Sequence, residues 1–121
     1  MSSAAKVVRL TTGLTGLKVS PNPKRTLGIL YAKTSRALNK LPADCAYRKY
    51  TESIISQRSA IIKEAASVEE MEKKINCGLI EEVIVQAENE LQLARNFYKW
   101  KPWEKLVEEP KPNQWIWPPT Q

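Results

Sequence analysis

Histidine is absent from the 121 residues, and its absence removes several classes of function. The imidazole is the commonest general base, the commonest metal ligand and the side chain that titrates near neutral pH. The two cysteines, Cys45 and Cys77, are too few to hold a structural zinc ion or an iron–sulfur cluster, and they lack CxxC spacing. We predict two free thiols in a reducing compartment, with a disulfide between them as the less favoured alternative.

The sequence also lacks the motifs of common catalytic and nucleotide-binding folds. It contains neither GxGxxG nor GxxxxGKS/T, and Gly13 and Gly16 are too isolated to surround a phosphate. No apolar run reaches the roughly 18 residues that a membrane span needs, and none forms the core of a signal peptide. We therefore predict a soluble or peripheral protein that is not an enzyme and that holds no cofactor or metal ion.

Acidic residues are absent from the first 43 positions, which carry eight basic ones. From Asp44 onward there are eleven basic and thirteen acidic residues, so the net charge of +6 comes from the first third of the chain. This composition is typical of a mitochondrial import signal and also of a basic arm that binds an acidic surface, and the two readings are compatible. We predict an extended N-terminal arm over residues 1–21, in which Arg9 and Lys18 contact a partner.

Apolar periodicity predicts two long helices in the first half of the chain. The first spans 23–40, with Asn22 as its cap and Pro23 at its first position. The second spans 43–66, with Asp44 in its first turn, where a carboxylate stabilises the helix dipole. The positions predicted to be buried are Leu27, Leu30, Tyr31, Thr34, Leu38 and Leu41 in the first helix, and Tyr47, Tyr50, Ile54, Ile61 and Ala65 in the second.

A short helix and a third long helix follow. The short helix spans 68–76, where Ser67 and Glu70 form a capping box and Gly78 supplies the left-handed end. The last helix spans 79–100 and has the clearest pattern in the sequence, with spacings of four and three. Its predicted buried seam consists of Ile80, Ile84, Ala87, Leu91, Ala94 and Tyr98.

These elements predict an all-α fold. Long helices joined by short connections favour an antiparallel three-helix bundle over residues 22–100, with the short helix as an addition. At about 100° per residue, Val85 and Leu93 fall outside the seam of the last helix. We predict that these two side chains contact another protein.

All four tryptophans and five of the eight prolines lie between residues 100 and 119. The prolines predict an extended docking tail over residues 101–121 that loses little conformational entropy on binding. We predict that Trp100 and Trp103 fold back over a helix end, and that Trp115 and Trp117 enter a groove of a partner. Nucleic acid is not an expected partner, because these aromatic side chains lie among glutamates and not among the basic residues.

Several stretches of the chain closely resemble one family, the accessory subunit five of the alpha subcomplex of mitochondrial respiratory complex I. The strings that carry this resemblance are TTGLTGL (11–17), ILYAK (29–33), AYRKYTE (46–52), EEVIVQAE (81–88), LQLAR (91–95), WKPWE (100–104), LVEEP (106–110) and QWIWP (114–118). The resemblance covers roughly residues 11 to 118. Two stretches depart from it: residues 18–26 carry little specific similarity, and the 115–117 tip has an apolar residue where a polar one is expected.

The resemblance implies a non-catalytic supernumerary subunit without a cofactor. Such a subunit is peripheral to the mitochondrial inner membrane, on the matrix-facing arm of NADH:ubiquinone oxidoreductase. Its partners are core and accessory subunits, including the 30-kDa-type subunit of that arm, and the resemblance explains the acid-free N-terminus as an uncleaved import signal. No catalytic residue is transferred to this sequence.

A small helical adaptor of the LYR type, which binds acyl carrier protein, is the alternative. Leu30 and Tyr31 lie in the appropriate helix, but Ala32 occupies the position where the motif has arginine. The only phenylalanine, Phe97, lies at the far end of the last helix. These departures make the adaptor the weaker hypothesis.

Overall fold

The computed structural model describes residues 9–118, and these residues form four helices without a strand. The helices are α1 (Pro23–Leu38), α2 (Ala46–Glu64), α3 (Val68–Ile75) and α4 (Ile80–Trp100). The predicted all-α class is confirmed. Residues 1–8 of the predicted N-terminal arm and residues 119–121 of the predicted tail lie outside the described range.

The capping residues act where the sequence predicts them. The Asn22 side chain accepts a hydrogen bond from the Arg25 backbone N–H at 3.3 Å, and Pro23 follows as the first helical residue. At the start of α3 the Ser67 hydroxyl accepts from the Glu70 N–H at 3.2 Å, while the Glu70 carboxylate accepts from the Ala66 N–H at 2.9 Å. The bonds from Arg25 and Glu70 satisfy N–H groups that the first turn of each helix leaves without a partner, and the bond from Ala66 holds the residue before the Ser67 cap.

Five predicted helix ends differ from the structure by one to three residues. Helix α1 ends at Leu38, and α2 begins at Ala46 instead of residue 43, so Asp44 lies before the first turn of α2 and not within it. The reason is a local turn, in which the Cys45 N–H donates to the carbonyl of Pro42 at 3.1 Å. Helix α3 ends at Ile75, and its cap residue is Asn76, which has a φ of 56°. Gly78 has the predicted left-handed conformation, with a φ of 84°, but it lies two residues beyond the cap.

The predicted buried face of α2 is correct for Ala65 and in part for Tyr47, which packs against the core, but it is wrong for Tyr50 and Ile54. Thr51, Ile55 and Ile62 are buried, whereas Tyr50 and Ile54 are exposed. Adjacent isoleucines at 54–55 and 61–62 give α2 two apolar rows about 100° apart, so periodicity alone does not identify the inner row. The row that is left outside remains available as an apolar surface on α2.

Helix α1 is the centre of the fold, because it packs against both α4 and α2. Helices α2 and α4 meet through side chains, because the rings of Tyr47 and Phe97 stack with their centroids 4.0 Å apart and the Tyr47 hydroxyl donates to Glu90. Helix α3 packs against α2 and α4 at one end. The predicted seam of α4 is buried except for Tyr98, which lies on the surface. The core consists of Leu27, Tyr31, Ala37, Leu38, Leu41, Ile55, Ile62, Ala65, Met71, Ile80, Val83, Ile84, Ala87, Leu91 and Ala94.

The helix directions follow from contacts between the helix ends. The start of α1 lies near the start of α4, where the Ser20 N–H donates to Glu81, and the ends of the two helices meet where Lys40 lies over the ring of Tyr98. Helix α2 runs in the opposite direction, since its first turn contacts Glu90 and its middle contacts Gln86. Within residues 9–118, no helix is long and apolar enough to cross a bilayer.

Candidate docking surfaces

The C-terminal segment presents the largest exposed aromatic side chains of the molecule. Trp115 and Trp117 are each 87% exposed, and Ile116 between them is 52% exposed. The segment is not extended throughout, because the Gln114 N–H donates to the Lys111 carbonyl at 3.1 Å and residues 112–115 form turns. The prediction of a fully extended tail is therefore wrong over these residues, and the two indoles remain uncovered by the helices.

The two tryptophans nearer to α4 differ from each other. Trp103 is half-buried and packs against the hydrophobic core, because Lys101 adopts a left-handed conformation that turns the chain back after the helix. Trp100 is mostly exposed, and its ring lies 6.0 Å from that of Phe97. Folding back over the helix end thus describes Trp103, and Trp100 stays on the surface.

Val85 and Leu93, the two apolar residues of α4 that were predicted to contact a partner, lie at the surface. Val85 is 40% exposed and Leu93 is 36% exposed. They are eight residues apart on one helix, and Leu93 faces α2. Their contact with a partner remains a prediction.

The N-terminal arm is attached to the start of α4 by a buried carboxylate. Glu81 is only 2% exposed, although it is not part of the predicted seam of α4. The Arg9 guanidinium lies 3.1 Å from Glu81 and 2.9 Å from Glu72, and the Ser20 N–H donates to Glu81 at 3.3 Å. Arg9 is thus engaged within the chain, while Lys18 is exposed.

A shallow basic groove lies between the C-terminal halves of α1 and α4. Its cationic side chains are Lys33, Arg36, Lys40, Arg95 and Lys99. No carboxylate lines this groove, and Lys40 Nζ lies 6.0 Å from the ring centre of Tyr98. Helix packing brings together bases that are about sixty positions apart, so the sequence alone did not reveal the cluster. Such a surface attracts an acidic partner and raises its rate of association.

The structure shows no cluster of metal-ligating side chains within residues 9–118. Within residues 9–118, no three of the histidine, cysteine, aspartate and glutamate side chains lie close enough together to hold a metal ion. Cys45 is buried and Cys77 is half-buried, and both are free thiols in this structure.

Comparison with known proteins relates most of the chain to one family. The family model described as "ETC complex I subunit conserved region" matches residues 16–82, more than half of the chain. A Bos taurus protein named NADH dehydrogenase (ubiquinone) 1 alpha subcomplex subunit 5 is 49% identical over 114 residues, which cover 94% of this chain and 98% of the bovine protein.

Similar proteins occur in a nematode and in a plant. A Caenorhabditis elegans protein with the same name, marked as probable, is 47% identical over 108 residues, which cover 89% of this chain and 72% of the nematode protein. An Arabidopsis thaliana protein, whose name adds "mitochondrial", is 42% identical over 96 residues, which cover 79% of this chain and 57% of the plant protein.

Proposed function

Because this chain belongs to the complex I alpha subcomplex subunit 5 family, we propose that it is an accessory subunit of mitochondrial NADH:ubiquinone oxidoreductase. Its role is to support assembly and stability of the matrix-facing arm, where it lies peripheral to the inner membrane. Its partners are core and accessory subunits, including the 30-kDa-type subunit. It has no catalytic role and holds no cofactor.

The observation that carries this proposal is the exposure of Trp115 and Trp117. Covering two indoles removes roughly 300–400 Å² of largely apolar surface from water, which is worth about 8–10 kcal/mol before costs. Association itself costs roughly 4–15 kcal/mol. The tail alone therefore gives weak binding at best, and stable incorporation needs a second surface.

The basic groove between α1 and α4 is suited to be that second surface. Its five cations have no carboxylate among the residues that line it. An acidic face of a neighbouring subunit would neutralise them and orient the subunit before the tail binds. Arg9 is not included in this proposal, because its guanidinium already pairs with Glu72 and Glu81.

The alternative of an acyl-carrier-protein adaptor gains no support from the fold. Tyr31 is buried in the core, and Leu30 is half-buried beside it. Ala32 carries no charge for a phosphopantetheine phosphate. No observation therefore favours this adaptor over the accessory subunit.

Truncation after Glu109 tests the proposal. The shortened chain keeps all four helices and Trp103, so its thermal unfolding midpoint is expected to change by no more than a few degrees. In cells that lack the endogenous subunit, its amount in complex I on a native gel is expected to fall more than tenfold relative to the full chain. Normal co-migration of the truncated chain would contradict the role of the tail.

Point variants distinguish the contribution of the two indoles to incorporation from that of the rest of the tail. Full chains with Trp115→Ala and Trp117→Ala are expected to behave like the truncation. The matched control replaces Leu106 and Val107, which are also exposed in the tail, with alanine. This control is expected to retain at least half of normal incorporation, and an equal loss in both double variants would contradict a specific role of the indoles.

A further inference from the structure

The exposed face of the α1 and α4 pair extends beyond the basic groove. On α1, Ile29 lies seven residues, almost two helical turns, before Arg36 of the groove, so both side chains point to the same side of the helix. On α4, Val85 lies seven residues before Gln92 of the groove. Because the two helices run in the same direction, Ile29 and Val85 lie at the same end of one surface. We call this surface, from these two residues through the basic groove, the α1–α4 face.

The two ends of the α1–α4 face differ in chemistry. At one end Ile29 is 45% exposed and Val85 is 40% exposed. At the other end five cationic side chains surround a groove of about 570 Å³. Glu88, which is exposed and lies one turn after Val85, separates the two ends on α4 and does not line the groove. A partner that matches both ends can bind in only one orientation.

The carboxylates of the described chain do not neutralise the basic end. The ion pairs within residues 9–118 are formed by Arg9, Arg48 and Lys74, and none of these cations lines the groove. The glutamates of the tail follow α4 at this end, but they are exposed and take part in none of these pairs. Like charges held close together repel one another, and an acidic surface that covers them removes the repulsion.

We propose that the α1–α4 face binds a protein surface of one neighbouring subunit on which an acidic patch adjoins an apolar patch. The acidic patch covers the basic groove, and the apolar patch covers Ile29 and Val85. This inference rests on the proposed function, because it extends the contact proposed there for the basic groove to the composition and orientation of the partner surface. Charge complementarity identifies the acidic patch, and the combination of apolar and charged contacts is typical of protein interfaces.

A lipid surface is less suited to this face than a protein surface. Binding of a helix pair to a bilayer increases with the apolar area that enters the acyl region. Ile29 and Val85 are both about half covered by their own helices, so they offer little area for insertion. The cations alone would attract anionic headgroups, and the vesicle experiment below separates this case from the proposal.

Lys33→Glu combined with Arg95→Glu reverses one cation on each wall of the basic groove. When the variant and the wild-type chain are co-expressed with different tags, the variant's share of complex I is expected to fall at least tenfold. The unfolding midpoint of the isolated variant is expected to stay the same or to rise, because the change relieves repulsion among the five cations. Equal incorporation, or a loss that accompanies a lower midpoint, would overturn the proposal.

The matched control is Lys24→Glu combined with Lys49→Glu. It makes the same change in net charge at two exposed positions that do not line the groove. Lys24 lies nine residues before Lys33, which places it on the opposite side of α1. Incorporation of this control is expected to stay within twofold of the wild-type chain. An equal loss in both double variants would contradict the proposal, because net charge and not the groove would then determine incorporation.

Serine variants test the apolar end of the face. Ile29→Ser and Val85→Ser are each expected to lower incorporation at least threefold in the same co-expression experiment. The matched control is Ile54→Ser, which makes the same change on α2 at a position that is 49% exposed, against 45% for Ile29. This control is expected to incorporate normally. Equal incorporation of the Ile29 and Ile54 variants would contradict an apolar contact at this end.

Vesicle sedimentation tests the lipid alternative. The isolated wild-type chain and the Lys33→Glu, Arg95→Glu variant are mixed with phosphatidylcholine vesicles that contain an anionic phospholipid, at physiological ionic strength. The two chains are expected to sediment with the vesicles to the same extent. Sedimentation of the wild-type chain that the double variant loses would overturn the proposal, because the basic groove would then bind lipid.

Photocrosslinking amino acids at positions 29 and 92 identify the occupant in purified complex I. Both positions are expected to crosslink to the same neighbouring subunit, and the peptide attached at position 92 is expected to carry more acidic than basic residues. Crosslinks to a second copy, to the chain's own tail or to two different subunits would overturn the proposal. If the wild-type chain is absent from complex I, the proposed function itself fails; if it is present and all variants of the face incorporate normally, only this inference fails.

Discussion

Arg9→Ala is expected to lower the free energy of unfolding by about 3 kcal/mol, at the low end of the cost of breaking a buried ion pair. The variant leaves Glu81 buried without its cation, although the Ser20 N–H still donates to it. Arg9 keeps about a quarter of its side chain in water, which is why the lower end of the range applies. Urea unfolding followed by circular dichroism measures the change.

The double variant Arg9→Ala with Glu81→Gln is the control for this effect. It removes the buried charge together with its partner, so we expect it to recover at least half of the lost stability. A loss below 0.5 kcal/mol in the single variant would show that the arm is not held by this pair. Arg9 would then return to the group of residues that are free to contact a partner.

Leu38→Ala is expected to destabilise the fold by about 2–5 kcal/mol, the range for removing a buried leucine side chain. Leu38 is fully buried at the end of α1, the helix that packs on both of its long neighbours. Total stabilities of small domains are about 5–15 kcal/mol, so this variant approaches the limit of folding. Chemical denaturation at 25 °C measures the difference.

Leu93→Ala is the matched control, because it deletes the same atoms from a surface position. Its effect on unfolding is expected to stay within about 0.5 kcal/mol. If both variants destabilised the chain equally, Leu93 would be part of the core and not of the surface. That result would contradict the arrangement around α1.

Local signals in the sequence were sufficient for the existence and type of every helix. Asn22 and Ser67 cap α1 and α3 as predicted, because capping depends on a few neighbouring residues. The inner face of α2 was not predictable in the same way. Two apolar rows compete on that helix, and only packing against α1 decides that Ile55 is buried and Ile54 is not.

A docking surface could be predicted from the sequence only where its residues are neighbours along the chain. Trp115 and Trp117 were identified because prolines and glutamates around them exclude a helix of the core. The basic groove was missed because Lys33 and Arg95 become neighbours only when α1 packs on α4. The burial of Glu81 was missed for a similar reason, since it depends on Arg9, 72 residues away.

Hydroxyl-radical footprinting of Trp115 and Trp117 tests the central claim most directly. The oxidation rate of each indole is compared between the isolated full chain and intact complex I, with Trp103 as the internal reference because it is half-buried by its own chain. We predict rapid oxidation of both indoles in the isolated chain and at least fivefold protection in the complex. Equal oxidation rates in the two states would contradict the account, because no partner would then cover these side chains.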